Sequence, residues 1–101
     1  MHIGHNCKIG HHCFISGMTG IAGSTTIGNW VTLGGGVGVN GHISIADGVI
    51  AGGKAGIAQS IKEPGSVVMG YPAQPISNWK KQIVIERKLP EIYRFYMKNN
   101  N

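Results

Sequence analysis

Large aliphatic residues return along the chain every six positions: Ile3, Ile9, Ile15, Ile21, Ile27, Leu33, Val39, Ile45, Ala51 and Ile57. Nine of these ten are Ile, Leu or Val, and the phase does not slip. The second position of each hexad is small (Gly4, Gly10, Ser16, Ala22, Gly28, Gly34). The fifth is small or β-branched (Cys7, Cys13, Thr19, Thr25, Val31, Val37). A period of six matches neither an α-helix nor a long flat strand. It matches a solenoid in which each hexad forms one short side and one corner. The aliphatic residue points inward and stacks on its counterpart one coil away, while the β-branched residue suits a short parallel strand. Three hexads per turn make a coil of eighteen residues. Ten hexads then give slightly more than three coils, about 15 Å tall at the strand spacing. The predicted fold class is an all-β solenoid. So short an array calls for capping or oligomerisation.

Glu63-Pro64-Gly65 breaks the repeat, and residues 66–73 are read as a last extended edge and turn. A division follows into a solenoid with closing loop over 1–74 and a helical tail over 75–101. Ser77 is the expected N-cap, and Pro90 is expected to end that helix and open a second short one. Trp79, Ile83, Ile92, Phe95 and Tyr96 would then pack these helices on each other or on a neighbour.

Composition changes this picture in two ways. Seventeen glycines in 101 residues are read as serving tight corners. The net charge of +5 is concentrated in the tail, where Lys80, Lys81, Arg87, Lys88, Arg94 and Lys98 face only Glu86 and Glu91. A basic tail fits an acidic partner or a solvated helix face. No apolar run is long enough to span a membrane, and no secretory signal pattern is present. Cys7 and Cys13 lack Cys-x-x-Cys spacing and read as reduced residues of a cytoplasmic protein.

The coil period also sorts the candidate chemistry. Residues eighteen apart lie above one another, so His5, Gly23 and Gly41 form a column, with His42 beside it two coils from His5. All five histidines (His2, His5, His11, His12, His42) are expected to point outward, and His11 and His12 fall on a different corner from His5. A histidine next to a bare backbone N–H is the minimum equipment for acyl transfer. The imidazole takes a proton from the nucleophile, and the N–H stabilises the tetrahedral oxyanion. Zinc chelation by His5 and His42 is the competing chemistry. It lacks a third histidine, since position 47 is Asp47, and no metal is expected. No phosphate-loop or dinucleotide fingerprint is present, and no nucleic-acid partner is expected.

The strings IGHNCKIG, GIAGSTTIGNWVTLGGGVGVNGHISIAD, IKEPG and YPAQPISNWKK resemble the carboxy-terminal part of the UDP-3-O-(3-hydroxyacyl)glucosamine N-acyltransferases of lipid A biosynthesis. That resemblance implies a left-handed parallel β-helix working as a homotrimer, with active sites between adjacent subunits. It implies N-acylation of UDP-3-O-acylglucosamine by a 3-hydroxyacyl chain carried as the phosphopantetheine thioester of acyl carrier protein, with no resident cofactor. By motif match His5 would be the general base, Gly23 the oxyanion donor and His42 a supporting group. Lys54 and Gln59 would line the acyl or pantetheine path, and Lys80 and Lys81 would meet the carrier protein. The chain would correspond to about the last third of such an enzyme, without its uridine-gripping domain. Two other readings stay open: a coenzyme A-dependent hexapeptide acetyltransferase, and a non-catalytic trimerisation module.

Overall fold

The structure is a computed structural model and describes residues 1–100. Its strands are β1 (His2–Ile3), β2 (Lys8–Ile9), β3 (Phe14–Ile15), β4 (Gly20–Ile21), β5 (Thr26–Ile27), β6 (Thr32–Leu33), β7 (Gly38–Val39), β8 (Ser44–Ile45), β9 (Ile50–Ala51), β10 (Gly56–Ile57), β11 (Val67–Met69) and β12 (Gln74–Pro75). They are followed by helix α1 (Ile76–Asn99). The strands form a left-handed parallel β-helix with three faces. One face carries β1, β4, β7 and β10. The second carries β2, β5 and β8. The third carries β3, β6, β9 and β11, with β12 added antiparallel at its edge. His2 pairs with Gly20 and Ile3 with Ile21, an offset of eighteen that recurs from β1 to β10.

The core forms where the repeat places its aliphatic residues. Ile21, Ile27, Leu33, Val39, Ile45, Ala51 and Ile57 are all buried. Ile3 and Ile9, on the first coil, remain 40% and 37% exposed, because each is covered from one side only. The fifth hexad position also points inward: Thr19, Thr25, Val31, Val37, Val49 and Ala55 are buried. The Thr19 and Thr25 hydroxyls donate to the carbonyls of Gly34 (3.0 Å) and Asn40 (2.8 Å) on the next coil, so their burial leaves no polar group unpaired. Two inward positions per hexad, rather than one, fill the narrow interior.

Four expectations are corrected. First, the left-handed residue of each corner is mostly not glycine. The chain turns through a left-handed backbone at the fourth hexad position, and Asn6, His12, Met18, Ser24, Trp30, His42 and Lys54 hold φ near +60° there, with glycine only at 36 and 48. The glycines of the second position serve close coil-to-coil approach instead. A Cβ on Gly4 would lie 2.8 Å from the Gly23 Cα, and one on Gly34 would lie 2.8 Å from the Gly53 nitrogen. Second, the six-residue phase slips at the end. Ile61 bridges to Ile45, sixteen residues back, so the last coil is two residues short. Ser60 fills the gap by accepting the Ser44 N–H on its hydroxyl (3.0 Å).

Third, Ser77 is not the N-cap. The helix begins two residues earlier than that cap implies, Pro75 takes the cap position, and no side-chain cap bond forms. Fourth, Pro90 does not divide the tail. α1 runs through it for 24 residues. No residue of the helix is buried, so water can reach the carbonyl that proline's missing N–H leaves free. Ile76, Trp79 and Ile83 are half-buried, and α1 touches β11 and β12. Ile92, Phe95 and Tyr96 are exposed. At 1.5 Å per residue the helix is about 36 Å long, and four coils rise about 19 Å. Together these account for a long dimension of 58 Å against 22 and 21 Å across. The helix therefore projects from the closing end of the solenoid along its length.

Candidate active site

His5 follows β1 at the first corner of the first coil, and its side chain is exposed. The eighteen-residue register sets Gly23 over it. The Ser24 N–H donates to the His5 carbonyl (3.0 Å), and the His42 N–H donates to the Gly23 carbonyl (3.2 Å). These two bonds tie three successive coils together at this corner. The imidazole lies along the bare Gly23 backbone: a Cβ there would sit 3.8 Å from His5 Cε1 and 3.2 Å from the His5 carbonyl oxygen. Glycine at 23 keeps that space open.

The neighbouring corner shows what the backbone N–H groups do when side chains are available. The His11 N–H donates to Asn29 Oδ1 (2.8 Å), and the Asn29 N–H donates to Asp47 Oδ1 (2.7 Å), each one coil on. An N–H at this hexad position thus points at the side chain eighteen residues ahead. At the first corner those side chains are missing, because positions 23 and 41 are glycine. The N–H groups of His5 and Gly23 have no acceptor among the described residues. The Gly23 N–H is free where the equivalent N–H holds an oxygen at 2.7 Å, the distance an oxyanion-hole donor needs. The third corner also stacks glycines, Gly17, Gly35 and Gly53, but it has no histidine.

His42 stands on the third coil with φ +60° and an exposed side chain, adjacent to the Gly41 that completes the column. His5 and His42 share a corner at a separation of two coils, about 10 Å along the axis. His12 is held by stacking on Trp30, with ring centroids 4.3 Å apart and planes 7° from parallel. No group of three or more His, Cys, Asp or Glu side chains gathers among the described residues.

The other sequence-derived candidates are not brought to His5 within one chain. Lys54 lies on the third corner, its backbone N–H donating to the Gly35 carbonyl (2.8 Å) and its side chain passing over Gly36. Gln59 follows Ala58, whose carbonyl accepts the Asn40 side-chain amide (3.2 Å), and it edges a depression shared with Ile61, Pro72 and Ala73. Lys80 and Lys81 are exposed on the first turns of α1, beyond the opposite end of the solenoid. The role of Gly41, which leaves the Gly23 N–H uncapped, escapes sequence reasoning. The signal was available in Asn29 and Asp47, the polar residues at the same hexad position one corner on.

No described helix is long and apolar enough to cross a membrane. No family model matches the chain. Over 53 residues it is 45% identical to the UDP-3-O-acylglucosamine N-acyltransferase of Alkalilimnicola ehrlichii, a match that takes in 52% of this chain and 15% of that protein. The enzymes of the same name from Pseudomonas syringae pv. syringae and Pseudomonas savastanoi pv. phaseolicola are 42% and 41% identical, each match again taking in 52% of this chain and 15% of the relative. The matched stretch is thus a small part of each of those longer proteins. The resemblance read from the sequence is borne out over that stretch, where the chain is similar to the UDP-3-O-acylglucosamine N-acyltransferases.

Proposed function

We infer that this chain carries the acyl-transfer centre of an N-acyltransferase of lipid A biosynthesis. The 2-amine of UDP-3-O-acylglucosamine attacks the thioester carbonyl of a 3-hydroxyacyl chain held on acyl carrier protein. As the C–N bond forms, His5 takes the amine proton and the carbonyl electrons move to oxygen, which the Gly23 N–H holds. Collapse of the intermediate breaks the C–S bond, and the imidazolium returns its proton to the departing phosphopantetheine sulfur. Nothing is oxidised or reduced, and no resident cofactor is needed. His42 supports the oxyanion or substrate from two coils away.

In this reading the enzyme is a cytoplasmic homotrimer, with the groove by His5 completed by an adjacent subunit. Residues 1–74 hold the chemistry, and the basic residues of 75–101, Lys80 and Lys81 first, meet the acidic carrier. Lys54 and Gln59 line the path of the acyl or pantetheine chain. The observation that carries the proposal is the exposed His5 imidazole alongside Gly23, whose N–H the glycine at 41 leaves without an acceptor.

The test is to incubate the full chain with 3-hydroxyacyl-acyl carrier protein and UDP-3-O-acylglucosamine, and separately with acetyl-coenzyme A, and to follow both donors by mass spectrometry. Discharge of the carrier with N-acylated sugar nucleotide is the expected result. Consumption of acetyl-coenzyme A alone would make the chain an acetyltransferase. If neither donor is consumed and His5→Ala changes nothing measurable, the chain is a trimerisation module.

A further inference from the structure

The second corner fixes a spacing as well as a direction. There the His11 and Asn29 N–H groups hold two oxygens one coil apart, Asn29 Oδ1 at 2.8 Å and Asp47 Oδ1 at 2.7 Å. The first corner repeats that ladder without its oxygens. One coil above the Gly23 N–H stands the Gly41 N–H, and it too has no acceptor among the described residues. A side chain at 41 would cover the Gly23 nitrogen, since a Cβ there would come 3.8 Å from it. The next residue of the column is Gln59, whose side chain is exposed. Two parallel donors are therefore open side by side, next to His5.

Such a ladder accepts a pair of oxygens about 4.8 Å apart, the rise of one coil. A 3-hydroxyacyl thioester carries that pair. Four bonds separate its carbonyl oxygen from its 3-hydroxyl oxygen, and their extended path spans about 4.8 Å at ordinary bond lengths. A chain without the hydroxyl offers the first oxygen alone.

We propose that Gly41 reads the 3-hydroxyl group of the acyl donor. Its N–H donates to the hydroxyl oxygen while the Gly23 N–H holds the carbonyl oxygen. This specificity role rests on the acyl-transfer reading above. The fold favours Gly41 over the donor on the other side of Gly23, which is the N–H of His5 itself. A depression on the face before this corner runs from His2 past Gly38 and Asn40 to Tyr71. An acyl chain laid in it towards Tyr71 passes Gly41 and leads away from the imidazole.

The test offers the full chain an equal mixture of 3-hydroxyacyl- and unsubstituted acyl-acyl carrier protein of one chain length, with UDP-3-O-acylglucosamine. Mass spectrometry reads the ratio of the two N-acylated products. The unmodified chain should favour the 3-hydroxyacyl product about tenfold. Replacing the Gly41 N–H by an ester oxygen, with glycolic acid incorporated at that codon during translation in vitro, should bring the ratio to about one. The same exchange at Gly23 should lower both products and keep the ratio, because every acyl donor presents the carbonyl oxygen. Gln59→Asn should set a shorter amide on the Gly41 N–H, as Asn29 sits on that of His11, and lower the ratio several-fold; Gln59→Ala should keep it. A ratio near one in the unmodified chain, or a preference that survives the Gly41 ester, overturns the assignment and leaves the acyl-transfer reading standing. If the ester chain does not fold, a preference that survives Gln59→Asn overturns it instead. Transfer from neither donor overturns both.

Discussion

The first and second corners of the solenoid are built from the same hexad and treat their backbone amides in opposite ways. At the second, Asn29 and Asp47 cap the N–H groups of the coil before them, and His12 lies flat on Trp30. At the first, Gly23 and Gly41 leave the corresponding N–H groups open, and the imidazole of His5 stands free beside them. One corner is satisfied and inert; the other has gone without its caps. In a fold this regular, a site is recognised by what the repeat omits as much as by the residue it adds.

Four changes test that contrast, the largest effect first. Ile27→Asp should destroy both corners together, because it puts a carboxylate into a stack where the side chain is 2% exposed. A loss of more than about 4 kcal/mol is expected, enough to abolish cooperative melting by circular dichroism. His5→Ala should lower acyl transfer by about 10²–10⁴-fold with the melting temperature unchanged, since the side chain is outside the core. If the change instead melts the protein, the separation of site from scaffold is wrong. Gly23→Asn would give the first corner the cap of the second. The new amide should accept the His5 N–H and crowd the imidazole, lowering turnover by about 10²-fold while the fold survives; steady-state rates and thermal melting decide this together. Asp47→Ala should do the reverse at the second corner, removing the acceptor of the Asn29 N–H. It should cost about 1 kcal/mol and leave the transfer rate alone, as read from denaturant unfolding beside the same assay.

Much of this contrast was legible in the sequence, because stacking converts spacing into position. The unbroken beat from Ile3 to Ile57 is enough to place Gly23 over His5, and the strand register agrees residue for residue. The beat could not reveal the slip at Ile61, where a serine hydroxyl replaces a backbone partner. It could not identify the corner residues either, since a left-handed backbone held by Trp30 or Lys54 runs against local preference and is imposed by the coils above and below. Pro90 departs from the sequence expectation for a related reason. An exposed helix tolerates a missing hydrogen bond that a buried one does not.

The left-handed corners have a consequence for how such a molecule diversifies. Strain of about 1 kcal/mol at each non-glycine corner is borne by the stack as a whole, so the side chain mounted there is released from any duty to the interior. Positions 6, 12, 18, 24, 30, 42 and 54 hold an amide, two imidazoles, a thioether, a hydroxyl, an indole and an ammonium on one unaltered scaffold. The three edges of the prism thus behave as a pegboard. Chemistry can be exchanged along them in steps of one coil, about 4.8 Å, while the interior that supports it stays the same.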